Sequence, residues 1–156
     1  MMPMYDDAYE FLHEIRADFI YIMNKSRELK CFDYMIDLSG INYNPDKVQS
    51  SPRQDGLELK AIRHMEAIKE IKADIAEAME RRVKRIDHAM DLISKIESKE
   101  QQDVLIMRYI EHMNWSEILE ARDCDNIGSQ YELHKRALVS FGKLLDAERN
   151  QILDTI

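Results

Sequence analysis

The chain has 156 residues, with 22 Lys and Arg against 30 Asp and Glu, a net charge of −8, and only 4 Gly and 3 Pro. That length holds one ordinary domain, or a small domain with an extended helical element, and the lack of Pro after residue 52 favours long helices. No run approaches the roughly 18 apolar residues of a membrane span, and the acidic opening Met1-Met2-Pro3-Met4-Tyr5-Asp6-Asp7 lacks the basic and apolar regions of a secretory leader, so a cytoplasmic protein with no membrane partner is expected.

The first predicted element is a helix. Ala8, Leu12, Ile15, Phe19, Ile22, Ser26 and Leu29 alternate steps of four and three, which lays one apolar face along residues 5–30 and on toward 38. Phe11, Ile20 and Met23 widen that face, as if it met more than one neighbour. Residues 39–56 hold two Gly and two Pro among Asn and Ser and form a connection, longer than most loops inside compact domains. Ser51 can cap the next helix, with Pro52 in its first position and Gln54 completing a capping box; Asp55 offers a later start.

From residue 57 to about 97 runs a longer helix with a seam of Ile68, Ile71, Ile75, Met79, Val83, Ile86, Met90 and Ile93. Roughly forty residues at 1.5 Å each make a rod of about 60 Å. So long a helix with so narrow a seam needs a partner, either the first helix running antiparallel or a second copy of the chain. Ser98 with Gln101 forms another capping box and ends the rod. Three shorter helices follow. The first spans 99 to about 111 around Val104, Leu105, Met107, Tyr109 and Ile110. The second is capped by Asn114, boxed by Glu117, and ends near Ala121. After a polar turn at 122–126, the third runs from Ile127 with Tyr131, Leu133, Ala137, Leu138, Phe141, Leu144 and Leu145 as its apolar positions. The expected architecture is all-α: a long antiparallel helical hairpin over residues 1–97, with its connection at 39–56, followed by a small helix-turn-helix bundle over 98–156.

Helical spacing alone does not make that bundle a DNA reader, but its residues are more specific. Val104-Leu105-Ile106-Met107-Arg108-Tyr109-Ile110, then Asn114-Trp115-Ser116-Glu117-Ile118-Leu119, then Tyr131-Glu132-Leu133-His134-Lys135-Arg136-Ala137-Leu138, resembles region four of bacterial sigma factors. It is more closely similar to the small phage and prophage proteins related to the ArpU and RinA late-gene regulators. The connection Asn44-Pro45-Asp46-Lys47-Val48-Gln49-Ser50-Ser51-Pro52-Arg53-Gln54-Asp55 is similar to the segment such proteins carry before their long helix. The resemblance covers roughly residues 38–145. It implies control of phage or mobile-element genes through promoter DNA, with host RNA polymerase as a second partner and the long helices available for a homodimer.

Carried onto this sequence, the resemblance makes Arg108, Asn114, Ser116, Ser129, Tyr131, Lys135 and Arg136 the candidate DNA-contacting residues. Each has a plainer role beside it. Arg108 can reach a phosphate or pair with Glu111 or Glu117. Asn114 and Ser116 can present backbone amides to a phosphate or simply cap a helix. Tyr131 can be core, Trp115 anchors the bundle, and His134 is read as a hydrogen-bonding surface residue. Lys135 and Arg136 suit backbone contacts better than base readout.

The sequence also departs from the family pattern. The turn Arg122-Asp123-Cys124-Asp125-Asn126 lacks the usual Gly, Gln130 stands where a branched apolar residue packs the last helix down, and Glu132 replaces a residue that is commonly basic. Residues 101–156 carry 6 basic and 10 acidic side chains, and no segment of the chain is basic. Tight, autonomous DNA binding is therefore not expected, and a protein-protein adaptor that has lost its DNA contacts is the alternative. An enzyme is not expected: no His-Glu-x-x-His, phosphate-cradling loop or nucleophile motif occurs, and no cofactor or metal is implied. Cys31 and Cys124 read as two free thiols in a reducing compartment.

Overall fold

The computed structural model describes residues 3–38 and 54–155. Helices account for their regular structure: α1 (Pro3–Leu38), α2 (Gln54–Ser94), α3 (Lys99–Leu105), a π-helical turn (Ile106–Ile110), α4 (Trp115–Ala121) and α5 (Ile127–Asp154). The chain is all-α, with its first two helices long and packed together. The Ser51–Pro52 start signal lies outside the described residues. Gln54, Asp55 and Gly56, expected to end the connection, already belong to α2.

Two compact units divide the chain. One comprises Met1–Phe19 with Arg81–Ile156, the other Ile20–Glu80. In the second, α1 and α2 run antiparallel, with Lys25 Nζ 3.8 Å from Asp74 and the ring of Phe32 edge-on to His64 at 5.7 Å. In the first, one hydrophobic core draws on every helix. Ala8, Leu12 and Ile15 come from α1, and Ala89, Leu92 and Ile93 from α2. Val104, Leu105, Tyr109, Ile118, Ala137, Leu138, Phe141 and Leu145 come from the short helices and α5.

The apolar face expected of α1 is the one that packs, as Ala8, Leu12 and Ile15 are buried and Phe19, Ile22, Ser26 and Leu29 half-buried. Ile20 and Met23 do not widen it, since both are exposed. The seam of α2 holds in part. Ile71 and Ile93 are buried and Ile68, Ile75 and Ile86 half-buried, whereas Met79 and Val83 stand 52% and 57% exposed and Met90 is exposed too; Ala61, Ala78, Ala89 and Leu92 are buried beside the seam. Alanines let helix axes approach closely, and a polar pair lies on the packed side. Asp18 of α1 is buried at 7% exposure and accepts a hydrogen bond from Arg85, with Arg81 3.9 Å away. The packed face thus keeps the isoleucines of the seam and takes in alanines and a polar pair where Met79, Val83 and Met90 were expected.

The helix ends follow local chemistry. Helix α2 stops at Ser94, and Ser98 caps α3 by accepting the Gln101 N–H. The reciprocal arm of that capping box is diverted, because Gln101 Oε1 accepts the Ser140 hydroxyl at 2.6 Å on α5. A single helix from 99 to 111 does not form. Beyond Leu105 the chain widens into the π turn, where the Glu111 N–H reaches back five residues to Ile106 O at 2.9 Å. In the turn before α5, Asp123 takes the position a Gly usually holds, with φ 49°. That left-handed backbone strains a residue bearing a Cβ. Asp123→Gly is expected to stabilise the fold by about 0.5–1 kcal/mol, read as a rise in the midpoint of thermal unfolding. Asn126 then caps α5 by accepting the Ser129 N–H at 3.3 Å.

Candidate nucleic-acid interface

Asn114 and Glu117 build the start of α4 by a reciprocal box, with Asn114 Oδ1 accepting the Glu117 N–H at 2.9 Å and Glu117 Oε2 accepting the Asn114 N–H at 2.8 Å. Asn114 is therefore committed to capping, while Ser116 beside it is exposed. The π turn places Arg108 so that Nη1 donates to the Met113 carbonyl at 3.1 Å and the guanidinium lies 5.2 Å from the Trp115 ring centroid. These contacts replace the expected pairing with Glu111 or Glu117.

Trp115 anchors the bundle as expected. It is half-buried against the core and meets Tyr131 and His134 edge-on, at 4.8 and 5.1 Å between centroids. His134 is hydrogen-bonded as expected but half-buried, stacking on Tyr109 with its Nε2 2.7 Å from the Tyr109 hydroxyl. Burial, with the Arg108 charge adding to it, pulls the His134 pKa down to about 4, so the ring is neutral near pH 7 and accepts the Tyr109 proton. Burial raises the Tyr109 hydroxyl well above its usual range, which keeps it a donor. A second half-buried imidazole, His112, sits at φ 59°, stacks on Phe19 at 4.0 Å, and lies 3.0 Å from Arg82 Nη2. Burial and the charges of Arg82 and Arg16 lower it to about 4 as well.

Both histidines are depressed below their unfolded value of 6.5, so the folded protein binds fewer protons than the unfolded chain between about 6.5 and 4. The stability they support is complete above pH 6.5 and falls as the pH drops through that window. The melting temperature should decline between pH 7 and pH 4.5. His134→Gln, which keeps an acceptor for Tyr109, should flatten the slope; an unchanged slope would remove His134 from the account.

Helix α5 turns Gln130, Ala137, Leu138, Phe141, Gly142 and Leu145 inward. Ser129, Tyr131, Glu132, Lys135 and Arg136 are exposed. Tyr131 is therefore not core; it is 42% exposed, leaning on Trp115. Gln130 takes part in the packing, being 5% exposed with Oε1 lacking a hydrogen-bond partner among the described residues.

The seven candidates fall in three places. Arg108, Tyr131 and Lys135 line one groove of about 570 Å³ with Trp115 and Gly128. Ser129 and Arg136 line another hollow, of about 460 Å³, with Glu100, Arg122 and Glu132. Asn114 and Ser116 line neither. Lys135 Nζ lies 3.7 Å from Glu132, so part of its charge is met within the helix.

The sequence reading missed the residues α1 adds to the first groove, Tyr5, Tyr9, His13 and Arg16. Their spacing of four, four and three was a legible signal, a second stripe beside the apolar one. Among the described residues no group of His, Cys, Asp or Glu is placed to hold a metal ion, and no helix is long and apolar enough to cross a membrane.

No protein-family model, curated protein or solved structure matches the chain.

Proposed function

We propose that this protein is a phage-type transcriptional regulator whose C-terminal helix-turn-helix, similar to sigma-factor region four, docks α5 on promoter DNA. The observation that carries the reading is the start of α5. A capped turn delivers a helix whose Ser129, Tyr131, Lys135 and Arg136 are all exposed, while its opposite side is locked into the core by Ala137, Leu138 and Phe141. A rigid helix with one free polar face is the form in which side chains reach a major groove. Ser116 and Arg108 stand on neighbouring elements, the first exposed and the second half-buried.

The charge of this face sets the character of the binding. Lys135 and Arg136 are set against Asp123, Asp125 and Glu132, all exposed. Phosphate affinity scales with the cations presented, so binding by one copy is weak and salt-sensitive. A second copy or RNA polymerase raises the effective concentration and completes occupancy. The Glu132–Lys135 ion pair favours one other reading, an adaptor whose helix-turn-helix has given up DNA and presents acid to a protein partner.

Two substitutions separate the readings. Arg136→Ala is expected to weaken duplex binding by roughly tenfold and to lower the salt slope by about one. Glu132→Lys, which frees Lys135 and reverses a charge, should tighten it by a similar factor. If wild-type protein binds no duplex and Glu132→Lys creates binding from nothing, the adaptor reading takes its place.

A further inference from the structure

The groove between the first turns of α1 and the start of α5 holds positive charge that the protein leaves uncompensated. Arg16 and Arg108 both line it, and Arg16 Nη1 is buried with no hydrogen-bond partner among the described residues. Arg108 is satisfied by a carbonyl and an indole face, neither of which cancels its charge. Burial and the charge of Arg16 both act to lower the Arg108 pKa, the signature of two guanidiniums sharing a partly dry site. Glu132 is the one carboxylate on the wall, and it already lies 3.7 Å from Lys135. A buried cation without a partner is costly unless a ligand supplies the anion.

The remaining walls say what else the ligand carries. Tyr5, Tyr9, Tyr109, Trp115 and Tyr131 supply ring faces and edges, and Tyr5, Tyr9 and Tyr131 add a phenolic hydroxyl able to donate to an oxyanion. A wholly apolar ligand would leave Arg16 unpaired, and a metal ion would be repelled. A bare inorganic anion would use the guanidiniums and leave the rings idle. The volume, about 570 Å³, lies within the range of small-molecule sites.

We propose that this groove binds a free mononucleotide, its phosphate between Arg16 and Arg108 and its base against the tyrosyl rings of Tyr9 and Tyr131. The site shares Arg108, Tyr131 and Lys135 with the candidate DNA face, whereas Arg16, Tyr5, Tyr9 and His13 belong to α1 and lie outside the helix-turn-helix. A nucleotide of a nucleic-acid strand shares this chemistry, so the test includes both sources.

Titration calorimetry on the full chain with adenosine, guanosine and thymidine 5′-monophosphates is expected to show binding by at least one of them. That nucleotide should bind roughly tenfold or more tightly than its nucleoside or inorganic phosphate. Arg16→Met, which keeps the buried stem, should weaken it by roughly tenfold or more, and Tyr9→Ala by several-fold. Circular dichroism melts would establish that both variants are folded. Three results would overturn the proposal: no mononucleotide binding at millimolar concentration in the wild type, phosphate binding as tightly as the nucleotide, or a folded Arg16→Met variant that binds unchanged. Tighter binding by a 5′-phosphorylated single-stranded oligonucleotide than by any mononucleotide would also overturn it, by assigning the groove to a strand end.

Discussion

Phe141→Ala is expected to remove about 3–5 kcal/mol of stability, a large share of the roughly 5–15 kcal/mol of an ordinary domain. Phe141 is fully buried on α5, and its ring centroid lies 5.6 Å from that of Phe11 on α1. Phe11 in turn meets His88 of α2 edge-on at 5.0 Å. Phe141 thus packs on the ring that joins α1 to α2, and truncation leaves a cavity beneath that aromatic cluster. Urea denaturation should show the midpoint falling while the slope against denaturant is kept. A loss below about 1 kcal/mol would mean the site relaxes around the void, and the core described here would be too tightly drawn.

The second large effect concerns a polar contact. Arg85→Met is expected to cost about 3 kcal/mol, because it leaves the Asp18 carboxylate buried without its hydrogen-bonding partner. Asp18 is 7% exposed, while Arg85 also lies 3.5 Å from the exposed Glu14. Arg81, at 3.9 Å from Asp18, is more exposed and replaces only part of the lost interaction. The reverse deletion is less damaging, since Arg85 keeps Glu14 and access to water. Converting both partners, Asp18→Leu with Arg85→Met, should recover most of the loss, as apolar replacements of buried pairs commonly do. Equal losses in the single and double variants would show that the cost does not come from an unpaired Asp18 carboxylate.

How far the sequence carried the structure depended on the range of the interaction. Asn114 and Glu117 were legible as a capping box because both halves lie within one helical turn, and that box forms. The buried face of α1 was legible for the same reason, its period set by Ala8, Leu12 and Ile15. The face of α2 was legible in part. Periodicity selected Ile71 and Ile93, which are buried, but by weighing side chains by size it also selected the exposed Met79 and Val83, whereas packing used Ala78, Ala89 and the pair of Arg85 with the buried Asp18, which reads as surface charge. The π turn shifted the phase after Leu105, which is why the neighbours of Arg108 are Met113 and Trp115 rather than the acids at helical spacing. The spacing of Tyr5, Tyr9, His13 and Arg16 marks them as one stripe of α1, but no local signal says that this stripe lines a groove beside α5.

The candidate DNA-contacting residues were partly legible. Ser129, Tyr131, Lys135 and Arg136 lie on the exposed part of α5, as a recognition helix requires. The capping bonds of Asn114 and the indole contact of Arg108 give those two residues structural work that holds with or without DNA. The unpartnered oxygen of Gln130 beneath this face adds a polar group where an apolar one would hold α5 more firmly.

Fluorescence anisotropy with labelled duplexes, one set from the upstream regions of the protein's own genetic element and one scrambled, tests the central claim most directly across a salt series. Preference for one native duplex is expected, with an affinity that falls as salt rises and roughly tenfold weaker binding to every duplex in Arg136→Ala. Absence of binding to every duplex at low salt, with the protein folded and RNA polymerase also present, would contradict it.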